Sequence, residues 1–231
     1  MQMKWMQAVV ALMAIAAWSG AAAQDQSSAT APAQPNSARQ TRQQAASESQ
    51  FDLGVSGFEV LNESSTGLGT YQAPKNTAGG MVEARYLLRP YVGFEMTYSF
   101  YSGSETYSPA PGACALTCAN KPLELGSKSS EIGFDYVASK RFGNLRPFAV
   151  GGLGFFISAT PGHLTDTGTQ TVVRPVFIYG GGLEYALSQH FGIRGQFRDN
   201  MYRAPNLSLI YPATGQYTHS MEPMGGVFYA F

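Results

Sequence analysis

From Phe51 to Phe231 the chain repeats with a period of two residues, and that period limits what it can fold into. In FDLGV, Phe51, Leu53 and Val55 fall on one face and Asp52 and Gly54 on the other. MVEARYLL sets Val82, Ala84, Tyr86 and Leu88 against Glu83 and Arg85. YVGFEMTYSF sets Val92, Phe94, Met96, Tyr98 and Phe100 against Gly93, Glu95, Thr97 and Ser99. Ile132, Phe134 and Tyr136 then oppose Glu131, Gly133 and Asp135. Phe177, Tyr179, Leu183 and Tyr185 oppose Gly180, Gly182 and Glu184. Phe191, Ile193 and Phe197 oppose Gly192, Arg194, Gln196 and Arg198, and GGVFYAF ends the chain with Val227, Tyr229 and Phe231 on one side. Alternation of this kind is the signature of strands with two differently solvated faces. The stretch from Arg146 to Ser158 is apolar on both parities, so its facing stays open. Counting it, the pattern predicts eight strands and no amphipathic helix after residue 50.

The links alternate in length. Leu88–Tyr91, Arg141–Asn144 and Ser188–His190 are tight turns; roughly 61–78, 102–127, 159–173 and 203–217 are longer and polar. Short turns at one end and long loops at the other predict an eight-stranded antiparallel up-and-down transmembrane β-barrel, with both termini on the short-turn, periplasmic side. Composition agrees. Charged residues are 13%, about half the usual share, while aromatics reach 13% and there are 26 glycines. The formal net charge of zero argues against nucleic acid as a partner, since phosphates must be neutralised by a basic excess. A hydrophobic share of 44% is too ordinary for a polytopic helical membrane protein.

Alternation also suits a soluble lipocalin-like barrel, with its polar face outward. Export tips the balance. Lys4, the apolar run Ala8–Trp18 and the small residues Ala21–Ala23 form a secretory signal peptide over 1–23, with cleavage expected before Gln24. Residues 24–50, rich in Gln, Ser, Ala and Pro and without aromatics, read as a disordered periplasmic tail. The barrel then occupies 51–231. Its lipid-facing aromatics, Tyr86, Tyr91, Tyr98, Tyr101, Tyr185 and Phe191, would form interfacial girdles.

The region 51–231 resembles the small eight-stranded outer-membrane barrels, the OmpA/OmpX-type β-barrel domain, without a peptidoglycan-binding domain. The resemblance is carried by the Gly-rich strand Phe148–Gly154, the hairpin Gly180–Arg194 and the closing Gly226–Phe231. It implies a cell outer-membrane location in a Gram-negative envelope, with outer-membrane lipids around the wall. It also implies that Val227, Tyr229 and Phe231 act as the signal read by the barrel assembly machinery. Pro223 departs from the pattern: it removes a ladder N–H and predicts a bulge, or a last strand that starts after it.

Opposite the aromatics lie Asp52, Glu83, Glu95, Glu131, Asp135 and Glu184, with Arg85, Arg194 and Arg198. Six carboxylates against three guanidiniums leave a formal lumen charge of −3. An eight-stranded barrel is barely wide enough inside for side chains, so these charges are expected to pair and fill it. The Glu83, Arg85 and Glu95 hairpin should form one polar layer, and the Glu184, Arg194 and Arg198 hairpin another. Cys114 and Cys118, in the second long link of an exported chain, should form a small-loop disulfide. The glycine clusters lack the following helix that a phosphate-binding loop needs. No cofactor, metal or catalytic residue is assigned: His219 and Ser220 are adjacent on a strand and so point to opposite faces. The expected role is structural, a barrel presenting loops to a surface ligand that the sequence does not identify. A small porin-like or hydrophobic-ligand channel is the alternative, and a lipid A-modifying enzyme the remote one.

Overall fold

The computed structural model describes residues 51–89, 91–112, 122–160, 171–208 and 210–231. Among these residues ten strands follow in chain order: β1 (Phe51–Asn62), β2 (Ser65–Gly67), β3 (Thr70–Pro74), β4 (Thr77–Arg89), β5 (Val92–Pro109), β6 (Leu123–Ser139), β7 (Leu145–Ala159), β8 (Thr171–Ala186), β9 (Phe191–Arg203) and β10 (Tyr217–Ala230). All except β2 and β3 form the wall. Each wall strand pairs antiparallel with its chain neighbour, and β1 pairs with β10 to close the sheet. Closure leaves the wall no unpaired edge, the condition for a sheet to cross lipid.

The stagger can be walked residue by residue. Asp52 pairs with Arg85, then Glu95, Asp135, Gly152, Ile178, Asn200, Ser220 and finally Asn62. One circuit thus returns to β1 ten residues beyond its start. Such a shear forces the strands to tilt and fixes a narrow interior.

The two faces follow the sequence parity. Phe94, Met96, Tyr98 and Phe100 of β5 point outward and are about half exposed, while Gly93, Glu95, Thr97 and Ser99 are buried inside. On β7 the facing that the sequence left open is settled. Phe148, Val150 and Phe156 point inward, and Leu153 and Phe155 outward. Tyr101 departs from expectation: it shares the parity of Glu95, not of Phe100, and packs inside against Phe58 and Phe156.

Three further expectations are corrected. The first long link contains the hairpin β2–β3, and β3 pairs with the far end of β5. The second link is shorter than its composition suggested. Beyond Phe100 the outward positions of β5 become Ser102, Ser104, Thr106 and Ser108, yet strand pairing with β6 continues to Tyr107. The alternation persists there in polar dress, so the polar residues mark the end of the apolar belt and not of the sheet. Finally, Pro223 makes no bulge. β10 runs straight through it in unchanged register, and the only cost is the missing pairing with β1 at Glu59 and Val60. The signal and tail expected over 1–50, and both cysteines, lie outside the described residues.

Glycine contacts give a direct test. A Cβ on Gly133 would stand 2.5 Å from Thr97 Oγ1 and 2.9 Å from Ile178 Cδ1, inside the barrel. On Gly195 it would meet nothing within 4 Å. Gly133→Val is therefore expected to destabilise the barrel by about 1–3 kcal/mol through overpacking, and Gly195→Ala to be neutral or stabilising by under ~1 kcal/mol. Urea unfolding of the refolded protein in detergent measures both.

Candidate functional site

The lumen begins with two guanidiniums on opposite walls. Arg85 on β4 donates from Nε to Glu95 Oε2 at 2.7 Å and reaches across the barrel to Glu184 of β8. Arg194 on β9 donates from Nε to the same Glu184 oxygen at 3.0 Å and from Nη2 to Asp52 at 2.8 Å, and it bonds Glu83 through Nη1. Ser56 donates to the second oxygen of Glu83 at 2.6 Å. All these side chains are buried. The ring of Phe148 lies 4.3 Å from the Arg85 guanidinium carbon, and that of Phe228 lies 5.1 Å from that of Arg194. Carboxylates thus meet the guanidinium edges while aromatic rings cover their faces.

The charges expected in two separate hairpin layers therefore make one, except Arg198, which stands apart. Glu184 joins them, because the narrow barrel puts facing walls within the reach of one arginine. A second, sparser layer lies along the lumen toward the long loops. Arg198, fully buried, holds Asp135 at 3.1 Å and lies 3.9 Å from Glu131, whose Oε2 accepts from Asn200 at 3.2 Å. Sequence reasoning missed Glu222, buried within electrostatic reach of Arg198. Its parity, shared with Met224 and Phe228, was the available signal; attention to the bulge expected at Pro223 hid it.

Above this layer the link between β9 and β10 folds inward as a lid. Leu207 and Tyr211 are buried against Tyr107 and Leu125. The Leu207 N–H donates to Tyr107 Oη at 3.0 Å, and Gln72 of β3 donates to the Pro205 carbonyl at 2.8 Å. Ser65 of β2 hydrogen-bonds Thr214 at 3.1 Å. The approach is so close that a Cβ on Gly67 would lie 2.1 Å from the Thr214 carbonyl oxygen, which explains the glycine there. Under the lid, Glu105 accepts from Tyr107 Oη at 2.6 Å and from Gln72 at 2.9 Å. Burial pushes the Glu105 carboxyl up, more than these two hydrogen bonds pull it down, and burial with the neighbouring Glu105 raises the Tyr107 phenol as well. Among the described residues no group of acidic, histidine or cysteine side chains could hold a metal ion.

On the outer wall, Asp199 takes an outward position yet is covered. Tyr179 bonds it from β8 and His219 Nδ1 lies 3.2 Å away on β10. Ser220 points inward and donates to Asn62 at 3.3 Å, so His219 and Ser220 do lie on opposite faces. Of the terminal residues, Val227 and Phe231 are exposed on the outer face. Tyr229 stacks on His190 and meets Phe191 and Phe231 edge-on.

Two outcomes follow. Arg194→Ala strands the buried carboxylates of Asp52 and Glu83 and should cost about 3–5 kcal/mol if the lumen is dry, read as a lower urea midpoint with insertion retained. The lid should also respond to pH. With the docked-state value of Glu105 raised above the ordinary 4.5, its contribution to docking is full below that value and is lost as pH rises through the raised one. Hydrogen-exchange protection of the Leu207 amide, corrected for intrinsic rates, should fall with rising pH, and Glu105→Gln should flatten the dependence.

Comparison with curated proteins gives no match. Among solved structures, Neisserial surface protein A superposes with a TM-score of 0.53 at 13% identity, covering 78% of this chain and 97% of that one. OprG of Pseudomonas aeruginosa gives 0.49 at 11%, covering 79% and 96%. The N-terminal β-barrel domain of P. aeruginosa OprF gives 0.44 at 14%, covering 79% and 98%. At 13% identity the likeness to Neisserial surface protein A speaks for the fold alone. The family model of the outer membrane protein beta-barrel domain matches residues 8–214, and with the closed eight-stranded wall this makes the chain a member of the outer membrane protein β-barrel family.

Proposed function

We propose that this outer-membrane barrel is a structural and surface-interaction protein whose lumen is sealed, with the long links as its working surface. One observation carries the reading: Arg85 from the facing wall and Arg194 from the neighbouring strand meet on Glu184, tying the interior into a single bonded plug. The lid held by Tyr107 and Gln72 adds a second obstruction at the long-loop end. No catalytic role is assigned, because His219 lacks a nucleophile on its own face of β10. The reading includes export by the 1–23 leader, insertion by the barrel assembly machinery through Val227, Tyr229 and Phe231, and a Cys114–Cys118 disulfide in the second long link.

Planar-bilayer recording of the refolded protein tests it. The wild type should give no large steady conductance. Arg194→Ala, which removes the arginine shared by Asp52, Glu83 and Glu184, should admit transient currents that favour cations, since carboxylates outnumber guanidiniums inside. Large, stable, anion-selective currents from the wild type would overturn both the seal and the sign of the lumen. Steady cation currents from the wild type would establish the small-channel reading in its place.

A further inference from the structure

On the outer wall a polar set serves nothing in the lumen. Along β9 the outward positions run Phe191, Ile193, Gly195, Phe197, Asp199, Met201 and Arg203, from the short-turn end to the long-link end. A carboxylate thus stands among apolar neighbours on the face that meets lipid, where an ionisable group is costly and points to a function. The chain covers it. Tyr179 donates to one oxygen of Asp199, and His219 Nδ1 lies 3.2 Å from both.

This arrangement fixes the imidazole. With Asp199 already accepting from the Tyr179 hydroxyl, Nδ1 is the donor and Nε2 is left with a lone pair. The His219 side chain is 30% exposed against 4% for Asp199, so the open side of the set is the imidazole. An acceptor turned to acyl chains alone finds no donor, but His219 stands where the apolar belt ends. Met201 is its register partner on β9, and Arg203 is the next outward residue toward the long links, diagonal to His219 at about 7–8 Å. Arg203 is exposed, and its Nε donates to the Gly215 carbonyl of the lid at 3.3 Å, which aims the terminal nitrogens outward. Tyr217, opposite Arg203 and exposed, marks the aromatic edge of the belt. On the other side, Glu63 is exposed just past the end of β1 and its N–H donates to the His219 carbonyl at 3.1 Å. A guanidinium, an imidazole acceptor and a carboxylate thus stand on three neighbouring strands at the rim of the belt.

We propose that this patch binds the headgroup of an outer-leaflet lipid that carries a phosphate joined to a primary ammonium, with Arg203 on the phosphate and His219 Nε2 and Glu63 on the ammonium. A guanidinium matches phosphate in geometry. A primary ammonium has N–H donors for both the imidazole and the carboxylate. The mixed signs favour a headgroup that is itself of both signs over a purely anionic one, which Glu63 and Asp199 would repel. The choice of leaflet rests on the reading above, with the long links outside.

The full barrel, refolded in an uncharged maltoside detergent, is titrated with dihexanoyl phosphatidylethanolamine, phosphatidylcholine and phosphatidylglycerol, read by amide shifts at Met201 and Tyr217 and by native mass spectrometry. Phosphatidylethanolamine should bind saturably, one per barrel, and at least about fivefold more tightly than the other two. Phosphatidylcholine keeps the phosphate and the positive charge but has no N–H, so it isolates the part played by the imidazole. His219→Phe, which keeps a ring over Asp199, should abolish the preference over phosphatidylcholine. Glu63→Gln should reduce the preference over phosphatidylglycerol, and Arg203→Ala should weaken phosphatidylethanolamine about fivefold. Lys140→Ala, at the short-turn end, should leave all three affinities unchanged. Heat-modifiable gel mobility checks that each variant is folded. Binding in micelles does not depend on which way the barrel faces, so failure of the site is read apart from failure of the orientation, which protease access to the long links on intact cells reports. Absence of saturable binding, equal affinity for the three lipids, or a preference unchanged in both His219→Phe and Arg203→Ala would overturn the proposal.

Discussion

A guanidinium that cannot reach water has to be surrounded by acceptors, and in this barrel the tilt and stagger of the wall decide which acceptors are near. The ten-residue offset per circuit brings Glu184 of β8 opposite Arg85 of β4 while Arg194 of β9 approaches the same oxygen from the neighbouring strand. The rest of the interior depends on that meeting. Phe148 has a cationic face to stack on, Asp52 and Glu83 have a buried guanidinium to pair with, and the small inward residues, Gly133 among them, leave room for the guanidiniums. A removal at the centre is felt by several strands at once, which is how a wall with little apolar core of its own gains rigidity.

Much of this was legible in the sequence because a strand offers only two directions. With Phe94 outward, Glu95 has to be inward, and the same logic puts nine charges, Asp52 through Arg198, inside, where they are buried. What parity cannot provide is who meets whom. Cross-lumen neighbours depend on the shear, and no single strand records it, so the hairpin-by-hairpin layering failed at Glu184. Tyr101 was misplaced by reading aromatic character ahead of parity. Glu222 and Glu105 were passed over for opposite reasons: the first stands beside a proline that suggested irregularity, the second in a polar stretch that looked like loop.

The lid shows how tertiary structure can hide in apparently featureless sequence. Among the described residues of 204–216 there is no regular strand, yet Leu207 is almost fully buried because Tyr107 and Gln72 supply the partners its segment's backbone needs. Those partners lie on β5 and β3, far away in the chain, so local pattern carried no trace of the docking.

The wall also outlasts the belt. β5 continues from Ser102 to Pro109 beyond its last outward aromatic, braced by β6 on one side and β3 on the other. Eight extended residues reach about 26 Å along the strand, so the sheet rises past the lipid boundary as a rigid collar. A body approaching the cell from outside meets hydrogen-bonded strand before it meets membrane. The segments at the collar's crest can then change in sequence or length with little mechanical consequence for the part that holds the protein in place.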